Sequence, residues 1–312
     1  MIGQILVDVG ILIATVFALW KGADLVVESS AHIAKRFGVS QLVIGLTVVA
    51  FGTSAPEFAV TLIAALNDQP NISVGNVVGS NIFNLGFILG GVAIVRTITT
   101  SKNLVYRDGL VLFGATLLLL FFISDLNFER WEGITMMVLL VAYLAFLIFR
   151  KDEELVDDVP EGDFSWVDIG KLVGGLALIL AGGHFFVGSA VNMARFLGMS
   201  EWAIGVTIVA AGTSAPELAT SLVAAFRGKY GLSAGNLIGS DLFNMLGVLG
   251  LAGTISPMQV HPESQHSLYM LCALVFVVVV MMRTGWKVSR TEGIILVVVN
   301  LIRWFFDVRG PG

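Results

Sequence analysis

The sequence predicts an all-α membrane protein of ten transmembrane helices in two five-helix repeats of inverted topology, with helices 2 and 7 broken near the bilayer midplane. Three observations lead there. The 312 residues are 56% hydrophobic and 13% charged, with a mean hydropathy of +0.88, whereas soluble domains carry about 25% charged residues. Apolar stretches recur along the whole chain. Finally, sliding the sequence by 160 residues aligns it with itself.

The apolar stretches, in order, are 1–20, 37–56, 72–95, 109–123, 133–149, 172–194, 202–216, 231–260, 267–282 and 293–302. Several fall short of the roughly 20 residues that a span needs, so their ends must take in polar or aromatic neighbours. Residues 1–20 lack a basic leading region and run into Lys21-Gly22-Ala23-Asp24 without a small-residue cleavage site. They therefore read as the first span and not as a signal peptide. The fifth stretch is followed by a connector, 151–165, that holds seven acids between Lys151 and Asp163. This connector divides a first repeat, 1–150, from a second, 166–312. Its acids lack the spacing of an EF-hand loop and read as a solvated linker. The single Cys272 lies in an apolar run, which excludes an intramolecular disulfide and a cysteine metal site. With a net charge of −5 and no basic arm, nucleic acid is excluded as a partner, and the expected surroundings are the lipid bilayer.

At the 160-residue offset, 44–66 matches 204–226 at 15 of 23 positions and 75–90 matches 235–250 at 8 of 16. Asp8 falls on Asp168, Gly38 on Gly198 and Arg130 on Arg290. A solenoid repeat is 20–50 residues long, so this period fits a duplicated half of a membrane transporter instead. Five spans per half is an odd number, so the second half must enter from the opposite face. Of the 18 Lys and Arg residues, 14 lie in the connections after spans 1, 3, 5, 7 and 9 and four on the other side. The positive-inside rule then places the connector in the cytoplasm and both termini outside.

Gly52-Thr53-Ser54-Ala55-Pro56-Glu57 recurs as Gly212-Thr213-Ser214-Ala215-Pro216-Glu217. A charge near the middle of a span costs about 2.5–3.5 kcal/mol on insertion scales, and this chain accepts it twice. Each proline lacks an N–H and clashes with the carbonyl four residues back, so a break is expected near Gly52 and Gly212. It would leave free carbonyls over Ala50–Thr53 and Ala210–Thr213. Carbonyls, hydroxyls and a carboxylate are the hard oxygen ligands that Na⁺ and Ca²⁺ prefer. In the following spans, Gly75-Asn76 to Asn84 recurs as Gly235-Asn236 to Asn244. Ser80 and Asn84 stand one helical turn apart, as do Ser240 and Asn244. Gly75 with Gly79, and Gly235 with Gly239, have the spacing that lets helices approach closely. Two-fold pseudosymmetry would bring Glu57 and Glu217 face to face. Two carboxylates balance one Ca²⁺, and three Na⁺ would leave about one net positive charge, so exchange would respond to voltage at about 2.3 kcal/mol per charge per 100 mV. Asn76 and Asn236 read as interhelical hydrogen-bonders, and Asp24 and His184 as satisfied polar contacts.

The doubled Gly-Thr-Ser-Ala-Pro-Glu motif, each copy followed by a Gly-Ser-x-x-x-Asn segment, resembles the two α-repeats of the sodium/calcium exchangers, in the cation/Ca²⁺ antiporter superfamily. The likeness covers essentially the whole chain. It implies that Glu57, Glu217 and the main-chain oxygens of Thr53 and Thr213 hold Ca²⁺. It further implies that Ser54, Ser80, Ser214, Ser240 and the carbonyls of Ala50 and Ala210 line Na⁺ sites, with Asn84 and Asn244 completing the central site. In this family the long first and sixth helices slide past the other eight. The implied activity is antiport of Ca²⁺ against Na⁺, with both ions as transported substrates, no cofactor and no enzymatic step. Some prokaryotic and K⁺-dependent relatives place an aspartate where Asn244 stands. Here an acid lies three residues earlier, at Asp241, which leaves the number of site carboxylates open. Competing readings are a Ca²⁺/H⁺ exchanger, which generally lacks the Thr-Ser pairs, and a cation channel. Ser54 and Ser214 lack the Gly-x-Ser-x-Gly setting of a hydrolase.

Overall fold

A computed structural model describes residues 2–149, 164–199, 204, 208 and 210–309. Most of the expected connector, 151–163, and part of the seventh stretch lie outside the described residues. The first repeat comprises α1 (Ile2–Phe37), α2 (Gln41–Thr53), α3 (Ala55–Leu66), α4 (Pro70–Val95), α5 (Leu104–Asp125) and α6 (Arg130–Phe149). The second comprises α7 (Trp166–Phe196), α8 (Ala210–Thr213), α9 (Ala215–Phe226), α10 (Tyr230–Ile255), α11 (Pro262–Arg283) and α12 (Arg290–Arg309). Among the described residues, seven helices are long and apolar enough to cross a membrane, or eight with the bent pair α2–α3 counted as one span, so this is a multi-pass membrane protein. The short stretch 109–123 does take in polar neighbours: α5 starts five residues earlier and includes Arg107 and Asp108.

Burial runs inside out relative to a soluble protein. Large apolar side chains such as Ile13, Phe17, Phe121 and Phe149 face outward, while Thr53, Ser54, Glu57, Asn84, Ser214, Glu217, Asp241 and Asn244 are fully enclosed. Lipid tails accept the apolar exterior without penalty, so the interior is free to carry the polar groups.

The 160-residue offset reappears in space. Two short antiparallel ladders form among β1 (Ile98–Thr99), β2 (Asn127–Phe128), β3 (Met258–Gln259) and β4 (Lys287–Val288). Ile98 pairs with Val288 and Phe128 with Met258. Adding 160 to 98 gives 258 and subtracting it from 288 gives 128, so one ladder is the image of the other. Helices α1 and α7 run antiparallel and are clipped at both ends by equivalent pairs. Asn192 donates to Asp8 at 3.2 Å, and His32 Nδ1 lies 3.2 Å from Asp168 Oδ1. Between the clips, a Cβ placed on Gly22 or Gly175 would stand 2.8 Å from the other's carbonyl oxygen. The glycines are what allow these helices to touch backbone to backbone.

Candidate cation site

Ser54 ends α2 and begins α3 at φ −78°, ψ 10°, and the chain bends there by 52°. In the second repeat Ser214 likewise separates α8 from α9, at φ −88°, ψ 11°. The break therefore falls two residues before each proline, not near Gly52 or Gly212. Pro56 and Pro216 sit in the first turn of α3 and α9, where amides have no intrahelical acceptor in any case, so their missing N–H is tolerated. The carbonyl of Ala50 is also not free: it accepts from the Ser54 amide at 3.0 Å and from the Thr53 hydroxyl at 3.3 Å. For Ala210 only the main chain is described, within α8. Because the helices restart at Ala55 and Ala215, Glu57 and Glu217 occupy first turns, where the helix dipole favours negative charge.

The two repeats are joined by reciprocal bonds. Ser54 Oγ donates to Glu217 Oε1 and Ser214 Oγ donates to Glu57 Oε1, both at 3.1 Å. Ser240 Oγ adds a contact to Glu217 Oε1 at 3.4 Å, and the Thr53 hydroxyl lies 3.4 Å from Ser240 and 3.2 Å from Asn236 Oδ1. Thr213 bonds to Glu57. As expected, Asn76 and Asn236 brace neighbouring helices. Asn76 Nδ2 reaches the Glu57 carbonyl at 3.2 Å and Thr61 at 2.9 Å, and Asn236 Nδ2 reaches Ser221 at 3.0 Å and the Glu217 carbonyl at 3.5 Å. Asp24, too, is a satisfied contact, paired with Lys21 and Arg227.

A second group of polar side chains lies alongside, on α4 and α10, where the helices widen into π-turns at Asn84–Ile88 and Phe243–Leu249. Such turns are frequent at functional sites. Asn244 Nδ2 donates to Ser80 at 3.3 Å and to Asn81 Oδ1 at 3.2 Å; Asn84 Nδ2 donates to Asp241 Oδ1 at 3.0 Å. Asn81 escaped the sequence reading, although it is the residue that the 160-residue offset places opposite Asp241.

Five enclosed oxygens in these two groups have no hydrogen-bond donor among the described residues: Glu57 Oε2, Glu217 Oε2, Asn84 Oδ1, Asn244 Oδ1 and Asp241 Oδ2. Buried polar atoms are almost always paired. No described Lys, Arg or His neutralises the three acids. A concentration of unpaired acceptors and negative charge is the donor set of a hard cation. Among the described residues, no three acidic, His or Cys groups converge on one point, so Asp241 stands beside the glutamate pair and not within it.

Membrane-crossing helices packed around an enclosed, oxygen-lined interior define the class of membrane transporters. A family model for the sodium/calcium exchanger protein matches residues 7–149 and 168–306, and this chain belongs to that family. It is 35% identical to the putative antiporter CaxA of Alkalimonas amylolytica over 92% of this chain and 93% of that one. It is 32% identical to the sodium/calcium exchanger MaX1 of Methanosarcina acetivorans over 94% and 96% of the two chains. Among solved structures, it superposes on the sodium–calcium exchanger NCX_Mj soaked with Na⁺ and Sr²⁺ with a TM-score of 0.83 and 32% identity, covering 95% of this chain and 97% of that one.

Proposed function

We propose that this protein is a secondary antiporter that exchanges Ca²⁺ for Na⁺ by alternating access, extruding Ca²⁺ down the Na⁺ gradient with net movement of charge. The observation that carries this reading is the reciprocal Ser54–Glu217 and Ser214–Glu57 bonding, which leaves one enclosed oxygen of each carboxylate without a donor. In this reading Glu57 and Glu217, with the main-chain oxygens of Thr53 and Thr213, hold Ca²⁺. Ser54, Ser80, Ser214, Ser240 and the carbonyl of Ala210 hold Na⁺, and Asn84 and Asn244 complete the central site. The accepting oxygens suit both ions, so occupancy by one excludes the other, and that exclusion couples the fluxes. The names of MaX1 and NCX_Mj support the choice of ions.

The chain is further read as ten spans in two inverted repeats, 1–150 and 166–312. The connector 151–165 is cytoplasmic and the termini are extracellular, from the bias of 14 basic residues against four. The test is Ca²⁺ uptake into proteoliposomes. Na⁺-loaded vesicles diluted into Na⁺-free Ca²⁺ buffer are expected to take up Ca²⁺, faster under an inside-positive potential. Glu57→Gln or Glu217→Gln, which keep volume and remove charge, are expected to abolish uptake without unfolding the protein. Uptake driven by a pH gradient and indifferent to Na⁺ would make this a Ca²⁺/H⁺ exchanger. A Ca²⁺ current that needs no counter-ion would make it a channel.

A further inference from the structure

Two connections that meet across the repeats carry unmatched positive charge. The β1–β4 ladder joins the segment after α4 to the segment after α11. Thr100 fastens it further: its amide donates to the Trp286 carbonyl at 2.9 Å and its hydroxyl to the Met282 carbonyl at 2.7 Å. Arg96, Lys102, Arg283, Lys287 and Arg290 are all exposed here. Continuing the register by two residues sets Arg96 opposite Arg290, and the Arg290 guanidinium donates to the Val95 carbonyl at 3.4 Å. Like charges placed opposite each other in a ladder are destabilising. The acids of these segments do not offset them. Asp108 is enclosed with Arg107 at 2.7 Å, and Glu292 accepts from the Ser289 amide and hydroxyl at 2.7 Å and from Thr284 at 3.1 Å. No acid among the described residues pairs with any of the five cations. The image ladder, β2–β3, shows that the backbone arrangement does not need them: Arg96, Lys102, Arg283 and Lys287 correspond there to Ser256, Pro262, Ile123 and Asn127, and only Arg290 keeps a basic mate, Arg130.

We propose that the β1–β4 ladder binds the phosphate headgroup of an anionic phospholipid, bridged between Arg96 of the first repeat and Arg290 of the second. Guanidinium groups suit phosphate because they can offer two parallel hydrogen bonds. Arg283 is held in place beside them, over the Trp286 ring at 4.5 Å from its centroid and bonded to the Tyr106 hydroxyl. Trp and Tyr are the side chains that favour headgroup depth. An apolar wall for the acyl chains starts at once. α5 meets α11 where a Cβ on Gly109 would stand 3.1 Å from Val279, and the next residues, Leu110 and Val280, are exposed. An orientation signal requires basic residues only somewhere in the short cytoplasmic connections. It does not require them gathered from both repeats onto one ladder. In the proposed orientation this ladder faces the cytoplasmic leaflet, whose anionic lipids attract such clusters.

The test is thermal unfolding of the purified full-length protein in neutral detergent as phosphatidylglycerol is titrated in, with phosphatidylcholine and inorganic phosphate as parallel probes. A ligand that binds only the folded state raises the midpoint. Phosphatidylglycerol is expected to raise it saturably, and the other two probes to leave it unchanged. In the triple variant Arg96→Gln, Lys287→Gln, Arg290→Gln the half-effect concentration of phosphatidylglycerol is expected to rise roughly 100-fold. Arg130→Gln, at the image position, is expected to leave it unchanged. If the triple variant does not fold, Arg290→Gln alone decides the matter, with an expected rise of roughly fivefold. An equal midpoint rise with phosphatidylcholine or with inorganic phosphate overturns the lipid site. So does an unchanged half-effect concentration in the ladder variants.

Discussion

Ser54 and Ser214 each lend a hydroxyl to the carboxylate of the opposite repeat, so a single atom on one half orients the charge on the other. A hydrogen bond to a charged group contributes about 1.5–3 kcal/mol, which corresponds to roughly 10–100-fold in the affinity of an ion that depends on it. Ser54→Ala is expected to weaken Na⁺ binding by that order and Ca²⁺ binding by much less, because in the proposed function Ca²⁺ is held chiefly by the two carboxylates. Titration with each ion separately checks this, and equal losses would contradict a Na⁺ role for Ser54. These residues were legible in the sequence because each motif occurs twice in an apolar setting where an acid is expensive. Asn81 was not legible. An asparagine in a membrane helix is ordinarily interhelical glue, and its importance appears only once Asn244 and the backbone of Asp241 are seen to use both ends of its amide.

Between elements, the small-xxx-small spacing predicted in α10 has a clear counterpart in packing. A Cβ on Gly235 would stand 2.7 Å from the Leu42 carbonyl, and one on Gly239 would stand 2.6 Å from Leu46 Cα. These neighbours are backbone and cannot rotate away. Alanine is the better helix former by about 0.8–1.0 kcal/mol, but overpacking costs about 1–3 kcal/mol. Gly239→Ala is therefore expected to lower the thermal unfolding midpoint, while Gly174→Ala on the exposed face of α7 is expected to leave it unchanged or raise it. A midpoint for Gly239→Ala at or above the native value would refute the close-contact argument. The positions of the helix breaks were only half legible. The proline rule predicts disruption four residues upstream, whereas here each repeat restarts a helix at the alanine before the proline, with Ser54 and Ser214 as the non-helical residues. The two-residue strands gave no signal at all, because each pairs with a segment of the other repeat and has no local partner.

For the whole molecule, duplication made the fold readable, yet the two halves do not occupy equivalent states. Beside Glu57, the residues Ala55, Pro56, Asn76 and Thr213 are partly exposed, whereas their images beside Glu217, namely Ala215, Pro216, Asn236 and Thr53, are buried. Helix α1 packs along α9, and α7 makes no matching approach along α3 among the described residues. The closed side is tied by Arg227, at the end of α9, to Asp24 on α1. The repeat images of this pair are Asn67 and His184, which cannot form a carboxylate–guanidinium pair. No sequence pattern reveals which crevice is open, since a symmetric sequence is compatible with either. In the proposed alternating-access cycle the exposures exchange, and in the proposed orientation the open crevice faces outside. In a Cys272→Ser background, a membrane-impermeant thiol reagent is therefore expected to modify Ala55→Cys from the extracellular side and to spare Ala215→Cys there. Ala215→Cys should react only from the cytoplasmic side, and slowly. A solvent-exposed ion pair contributes about 0.2–1 kcal/mol, so adding Arg227→Gln is expected to raise that cytoplasmic reaction by at most about fivefold. Equal labelling of both cysteines from both sides would rule out a protein that opens to one face at a time.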